Sequence, residues 1–295
     1  MNDSRCPPFN RVAIVGCGLM GGSFALALKA QGLAHKVVGY SRSEASRHLA
    51  LQVGAVDQAF DQLPAAIEGA DLILVAVPVS LMQSMFAAIA PHLDPQALIL
   101  DVGSTKTDVV QAAQQGLGEQ LRQWLPCHPI AGKETAGIEH ADARLFEARP
   151  LILTPLGGNS PGQIKRATAL WEALGSRVHL MSAEEHDATF AAVSHLPHLL
   201  AYAYLLGLLS QADHPTWLDR AGPGFRDFTR IAASDPVVWR DILLANADRV
   251  LDQCEHFEQA LAQLKTAIQT GDASPLQGLI DEASQVRTQW HLEGL

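Results

Sequence analysis

The chain has 295 residues, 48% of them hydrophobic and 18% charged, which is typical of a soluble globular protein long enough for two domains. A formal net charge of −10 disfavours nucleic acid and anionic membranes as partners. The cysteines form no CxxC pair, so neither a metal site nor a disulfide framework is indicated, and no apolar leader segment precedes the first predicted strand. We therefore expect a metal-free cytoplasmic protein.

The first predicted element is a strand that ends in a glycine-rich turn. The β-branched run 11–15 leads into Gly-Cys-Gly-Leu-Met-Gly at residues 16–21, and an Ala/Leu-rich segment with helical spacing follows. A strand, turn and helix in this order direct backbone N–H groups and a positive helix end at a pyrophosphate. The stretch predicts a dinucleotide-binding domain, with cofactor contacts from Gly16, Gly18, Leu19, Met20 and Gly21.

The end of the second predicted strand, residues 35–40, indicates which dinucleotide is bound. An acidic residue is common here and binds the ribose hydroxyls of NAD. This chain instead has Ser41, Arg42 and Ser43, and Glu44 lies beyond them. Because an arginine flanked by hydroxyls suits a 2′-phosphate, we expect NADP, with NAD as the alternative. A solvated loop arginine is the other interpretation of Arg42.

Strands and helices then alternate over about 30-residue units. The apolar run 71–77 predicts a strand buried on both faces, which Val77 and Pro78 end beside the expected cofactor. The run 97–102 repeats the pattern, and 123–127 predicts a short strand that precedes His128. The alternation predicts an α/β Rossmann-like domain with a right-handed parallel sheet. Helices are expected at 79–90 and 108–121, two further strands at 150–154 and 177–181, and a helix between them at 162–174.

From residue 183 onward the sequence predicts only helices. We place a domain boundary near Ser182, with a dinucleotide-binding domain at 1–182 and an all-α substrate-binding and dimerisation domain at 183–295. The run 196–209 is too short to cross a bilayer and predicts a buried helix. Helices this apolar need a covering surface, so we expect a homodimer. The predicted helices are 184–193, 196–210, 236–269 and 275–290.

Catalytic groups in an open α/β sheet lie beyond the carboxyl ends of its strands. His128 follows a predicted strand and precedes small or rigid residues, so there is room for a ligand beside it. An imidazole can take the proton of a substrate hydroxyl as hydride leaves the same carbon. A histidine that caps a turn is the alternative interpretation.

The helical half contains two further clusters. His195 and His198 are three residues apart, but no third metal ligand is near, and Pro197 also permits a helix-start or kink motif. Arg226 and Arg230 are four residues apart on one helix face, as a clamp for an anionic substrate requires. A surface ion-pair network is the other interpretation of the two arginines.

Taken together, these motifs resemble those of prephenate/arogenate dehydrogenases. The resemblance extends over nearly the whole chain and rests on the order and spacing of the glycine-rich turn, 101–106, 128–134, 194–198, 224–232 and 235–240. It implies oxidative decarboxylation of prephenate to 4-hydroxyphenylpyruvate, or of arogenate to tyrosine. Lys133 occupies a position that varies in the family, which leaves open the choice between prephenate and arogenate.

The resemblance also implies roles for individual residues. His128 deprotonates the ring hydroxyl, and Ser104 hydrogen-bonds both His128 and that hydroxyl. Arg230 binds a substrate carboxylate, and His195 or His198 lines the ring and side-chain pocket. Apart from the resemblance, an anionic substrate of an acidic protein needs a local positive pocket, for which Arg226 and Arg230 are the candidates. The remaining implied substrate-site residues are Glu134 and Asp227, which orient Arg230, and Trp239, which forms a pocket wall.

Two alternatives remain open from the sequence. A β-hydroxyacid dehydrogenase has a similar domain order but relies on a helical lysine, and this chain has no lysine between Lys165 and Lys265. A non-enzymatic NADP-sensing regulator would not need His128 or Arg230.

Overall fold

In the computed structural model, residues 6–133 and 135–290 are described. Six parallel strands form a sheet in the order β3-β2-β1-β4-β5-β6, which confirms the predicted Rossmann-like architecture. A second sheet has the order β7-β8-β9. The strands are β1 (Val12–Val15), β2 (Val37–Tyr40), β3 (Gln58–Phe60), β4 (Leu72–Val75), β5 (Leu98–Asp101), β6 (Trp124–Leu125), β7 (Cys127–Pro129), β8 (Pro150–Leu153) and β9 (Arg177–Leu180).

Helices cover both faces of the six-stranded sheet, as the continuous apolar strands predict. Alternate side chains of a strand point to opposite faces, so Ile14 and Leu74 enter one core cluster while Ala13 and Ile73 enter the other. The helices are α1 (Leu19–Ala30), α2 (Glu44–Gln52), α3 (Leu63–Ile67), α4 (Met82–Ile89), α5 (Thr107–Leu117), α6 (Pro161–Ala173), α7 (Ala183–Phe190), α8 (Leu196–Leu209), α9 (His214–Leu218), α10 (Pro223–Thr229), α11 (Pro236–Ala245), α12 (Ala247–Thr270) and α13 (Ala273–Gln289).

The segment predicted as one strand at 123–127 belongs to two sheets. Residues 124–125 pair in parallel with β5, and Cys127–Pro129 pairs antiparallel with β8, opposite Leu151–Leu153. Pro126 lies between the two strands and has no N–H to continue a ladder. His128 therefore lies within a strand of the smaller sheet, directly opposite Ile152. The elements α2, β3, α3 and α9 were not predicted.

The helical half departs from its predicted boundaries in two places. Helices α7 and α8 join through one π-helical turn, Ala191–His195. The predicted single helix at 236–269 is wrong, because Asn246 interrupts it with non-helical φ −114° and ψ 31°. The Asn246 side chain donates to the Asp187 carbonyl at 2.8 Å and contacts His195 Nδ1 at 3.1 Å. Such side-chain bonds stabilise a backbone that leaves the helical conformation.

The prediction that 196–209 is buried is also wrong for the single chain. In α8 only Ala201 is buried, and Leu206 and Leu209 are 67% and 52% exposed. The continuous run Ala183–Leu209 is long and apolar enough to cross a membrane by length and composition. It also carries His186, Asp187 and His195, which are all buried within the protein. The apolar surface of α8 thus lacks a cover within the described part of the chain.

Candidate active site

The glycine-rich turn lies where the sheet order reverses, between β1 and β4. Gly16 has φ +106°, and a Cβ there would overlap the carbonyl of Ala76. A Cβ on Gly21 would overlap the carbonyl of Gly16, so α1 packs closely on the turn. A Cβ on Gly18 would meet no atom within 4 Å, and no side chain caps α1 at this residue. The first N–H groups of α1 therefore face open space that suits a pyrophosphate.

A cavity of about 350 Å³ adjoins this turn. It lies at the carboxyl ends of β1, β4 and β5, the position at which dinucleotides bind in open α/β sheets. Its lining includes five of the predicted cofactor residues, together with Ser104 and Trp239. Those five residues are Gly18, Leu19, Met20, Val77 and Pro78.

The turn that follows β2 holds the predicted 2′-phosphate residues beside the glycine-rich turn. Arg47 Nη1 donates to the carbonyls of Ser41 at 2.8 Å and Arg42 at 2.9 Å, which fixes the loop backbone. Ser43 caps α2 by accepting from the N–H of Ser46. The Arg42 side chain is exposed and makes no hydrogen bond or ion pair within residues 6–133 and 135–290.

A second cavity, of about 920 Å³, shares part of its wall with the first. Ser104 and Trp239 line both cavities, so a group bound in one can reach a group bound in the other. The other predicted residues that line the larger cavity are His128, His195, His198 and Arg230.

His128 belongs to a buried chain of polar groups. Its Nδ1 lies 2.8 Å from His186 Nε2, and His186 Nδ1 lies 2.8 Å from Asp187 Oδ1. Burial, with smaller electrostatic effects from His186, Lys106 and His195, holds the pKa of His128 well below its ordinary value. Burial also lowers the pKa of His186, against the opposing effect of Asp187. His128 is therefore neutral at physiological pH and available as a base.

The other two predicted histidines are fixed by neighbours from the helical half. His198 stacks on Trp239 with ring centroids 3.4 Å apart, and its Nδ1 donates to the Ser194 carbonyl at 2.9 Å. His195 is buried, and its burial lowers its pKa to about 4. The π-helical turn Ala191–His195 directs Ser194 and His195 toward the cavity, a common use of such turns at functional sites.

A buried ion pair anchors the loop that carries Ser104. Lys106 Nζ donates to Asp101 Oδ2 at 2.6 Å and to the Cys127 carbonyl at 2.7 Å, and both charged side chains are fully buried. Asp101 also accepts from the N–H groups of Gly103 and Cys127. The pair thus joins the end of β5 to β7, next to His128.

Two predicted contacts are absent from the described structure, and a third lies outside it. Ser104 lines the cavity with His128, yet within the described residues the hydrogen bond of the His128 side chain is to His186. Arg226 does not line either cavity, and it pairs on the surface with Asp227 at 2.9 Å. The i, i+4 spacing thus does not place both arginines at one site, since only Arg230 lines the cavity. Glu134, the other predicted partner of Arg230, lies outside the described residues.

Sequence reasoning missed His186, Asp187, Asn246 and the Asp101–Lys106 pair. A His-Asp dipeptide at 186–187 within a helix was the one local signal for the first two. Nothing in it indicates a contact with His128, which lies 58 residues earlier. The domain contact from Ser80 Oγ to Asp241, a hydrogen bond of 2.5 Å, was missed for the same reason.

A Rossmann-like sheet with a cavity at its nucleotide-binding edge, continuous with a second cavity lined by His128, is the arrangement expected of a nucleotide-dependent dehydrogenase. Profiles of the prephenate dehydrogenase nucleotide-binding domain and dimerization domain match residues 24–180 and 182–282. The chain belongs to the prephenate dehydrogenase family.

Individual relatives match along nearly the whole chain. The cyclohexadienyl dehydrogenase of Zymomonas mobilis is 40% identical over 283 residues, which cover 95% of each protein. The crystal structure of A. aeolicus prephenate dehydrogenase with hydroxyphenyl propionate and NAD+ has a TM-score of 0.88 and 34% identity, covering 95% of this chain and 98% of that one. The Synechocystis arogenate dehydrogenase structure has a TM-score of 0.80 and 28% identity, covering 95% and 100%.

Proposed function

We propose that this dehydrogenase oxidatively decarboxylates prephenate, arogenate or both, with His128 as the general base. The observation that carries the assignment of His128 is its place in the larger cavity, whose wall is continuous with the cofactor cavity through Ser104 and Trp239. Gly18, Leu19, Met20, Val77 and Pro78 would hold a nicotinamide dinucleotide, which would supply the hydride acceptor for the substrate ring.

The chain's own residues supply orientation, a base and charge. His128 takes the proton of the ring hydroxyl as the carbon–oxygen double bond forms. Loss of carbon dioxide makes the ring aromatic, so the protein need not activate the carboxylate that leaves. Arg230 binds a carboxylate of the substrate, and the stacked rings of Trp239 and His198 provide an aromatic surface in the cavity for the substrate ring.

The charges around the cavity suit an anionic substrate. Among the described residues, its lining includes four cationic side chains and the carboxylates of Asp142 and Glu147, in a chain of net charge −10. The cationic residues are Lys133, Arg144, Arg149 and Arg230.

NADP is the cofactor that the turn after β2 favours, and NAD is the alternative. An exposed Arg42 between Ser41 and Ser43 can bind a 2′-phosphate, and this turn contains no carboxylate to accept ribose hydroxyls. The bound NAD+ of the A. aeolicus relative is the argument for NAD.

A cytoplasmic homodimer is the proposed working form. The exposed apolar surface of α8 needs a cover, and the family profile that matches residues 182–282 is described as a dimerization domain. The cysteines of the described chain are free thiols, which suits a reducing compartment.

The test is steady-state turnover of wild-type enzyme with prephenate and arogenate, each with NADP+ and NAD+. We expect reduced cofactor to form with at least one substrate, together with stoichiometric carbon dioxide, and kcat/KM to be higher with NADP+. Arg42→Ala should reduce that preference. Equal weakening of both cofactors in Arg42→Ala would contradict the 2′-phosphate assignment, and no turnover of either substrate would contradict the proposed reaction.

A further inference from the structure

We propose that His186 is a positioning residue that, with Asp187, fixes the tautomer of His128 so that Nε2 is the basic nitrogen. The inference rests on the proposed role of His128 as general base. It extends that role by assigning which ring nitrogen acts and which residues determine the choice.

Asp187 accepts hydrogen bonds from backbone groups at the start of α5. Its Oδ1 and Oδ2 accept from the backbone N–H groups of Lys106 and Thr107, each at 2.8 Å. These bonds, with the contact to His186, hold its pKa below the ordinary value despite burial. An ionised carboxylate only accepts hydrogen bonds, so the nitrogen 2.8 Å from Asp187 Oδ1 must carry the proton. His186 Nδ1 is therefore the protonated nitrogen of that ring.

His186 in turn determines which ring nitrogen of His128 carries a proton. His186 is fully buried and burial lowers its pKa, so the ring is neutral and its Nε2 has a lone pair. The contact of 2.8 Å to His128 is a hydrogen bond only if His128 Nδ1 donates it. A neutral His128 with its proton on Nδ1 has a lone pair on Nε2. That nitrogen has no hydrogen-bond partner among the described residues, and His128 lines the substrate cavity.

The opposite tautomer is disfavoured in this geometry. With its proton on Nε2, His128 would direct a lone pair at the lone pair of His186, and it could not accept the proton of a substrate hydroxyl. Phe190 packs against both rings, with centroids 5.1 Å from His128 and 4.5 Å from His186. The packing limits ring rotation, which is the other way to exchange the two nitrogens.

His186 is a better position for a test than Asp187. The Asp187 carboxylate accepts from two N–H groups at the start of α5, and its carbonyl accepts from Asn246. Replacing Asp187 would thus disturb the contact between the two halves of the chain. The His186 ring, in contrast, contacts mainly His128, Asp187 and Phe190.

The experiment compares His186→Phe with His186→Gln. Phenylalanine keeps a planar ring but cannot accept from His128 Nδ1, whereas the glutamine carbonyl can. Because a general base contributes about 10²–10⁴-fold, we expect His186→Phe to lower kcat roughly 10–100-fold with KM values for substrate and cofactor within about twofold. His186→Gln should retain kcat within about fivefold of wild type.

A spectroscopic measurement tests the tautomer without reference to activity. Long-range ¹H–¹⁵N spectra of histidine-labelled protein, with the His128 signals assigned from their loss in His128→Asn, should show the proton on Nδ1 in wild type. In His186→Phe a substantial part of that population should move to Nε2.

Several outcomes would overturn the inference. They are a proton on Nε2 of His128 in wild type, an unchanged kcat in His186→Phe, or equal losses of kcat in the Phe and Gln variants. Failure of the proposed reaction is distinguishable, because wild-type enzyme would then show no turnover, whereas the spectroscopic measurement of the His128 tautomer would be unaffected.

Discussion

Replacing Lys106 by methionine should destabilise the protein far more than the same substitution at a surface lysine whose ion pair has the same length. The substitution removes the hydrogen bonds that Lys106 Nζ donates to Asp101 at 2.6 Å and to the Cys127 carbonyl at 2.7 Å. Asp101 keeps two backbone N–H partners but becomes a fully buried carboxylate with no opposite charge. Removing one partner of a buried pair costs about 3–5 kcal/mol.

The matched control is Lys29→Met. Lys29 Nζ also lies 2.6 Å from a carboxylate, that of Asp57, but the two side chains are 34% and 39% exposed. Asp57 also keeps a backbone partner, the N–H of Val37 at 2.8 Å. Water and salt screen this pair, so its loss should cost less than about 1 kcal/mol. The two substitutions therefore differ mainly in burial.

Urea denaturation followed by circular dichroism measures the free energy of unfolding of both variants. At about 2–4 °C per kcal/mol, Lys106→Met should also lower Tm by roughly 6–20 °C. Adding Asp101→Asn to Lys106→Met should restore part of the loss, since it removes the uncompensated charge. Losses that are equal in Lys106→Met and Lys29→Met, or a double variant less stable than Lys106→Met, would refute the reasoning.

Three further predictions concern the base, the glycine-rich turn and the apolar helix. His128 must be neutral to accept a proton, and its pKa is lowered. We therefore expect kcat/KM to fall only as the pH drops below about 6.5. A midpoint of the fall in kcat/KM above this pH would contradict the assignment of His128 as the base. Gly18→Ala should leave the free energy of unfolding within about 0.5 kcal/mol of wild type and weaken cofactor binding about tenfold. Gly21→Ala should lower the free energy of unfolding by about 1–3 kcal/mol in denaturation experiments, because its Cβ would overlap the backbone. Leu206→Asp should dissociate the proposed dimer in sedimentation experiments, while Leu51→Asp, at a position 44% exposed on α2, should not. Dimers that persist in both variants would exclude α8 from the interface.

The parts of the site that the sequence predicts are those with local signals. The glycine-rich turn needs a strand before it and a helix after it, and both can be predicted from residues 11–30. His128 stands out because it follows an apolar run and precedes small residues. Its position in a separate sheet was not predictable, since the switch at Pro126 depends on pairing with β8, which follows 21 residues after β7.

The remaining features depend on contacts between distant segments. His186 looks like an ordinary helical residue until α7 packs beside β7, and the break at Asn246 arises from hydrogen bonds to Asp187 and His195, more than 50 residues earlier. Arg226 and Arg230 share a helix face by spacing, yet the end of α10 at Thr229 separates their environments. Hydrophobic composition alone does not show whether other segments cover a helix, and the described chain leaves all of α8 except Ala201 incompletely buried.

The most direct test of the central claim is single-turnover oxidation of prephenate by saturating wild-type enzyme and by His128→Asn, with NADP+ and NAD+ each at saturation. We predict that His128→Asn loses roughly 10²–10⁴-fold in the rate of cofactor reduction, with substrate binding within a few-fold of wild type. Cofactor reduction by His128→Asn at the wild-type rate would contradict the assignment of His128 as the base.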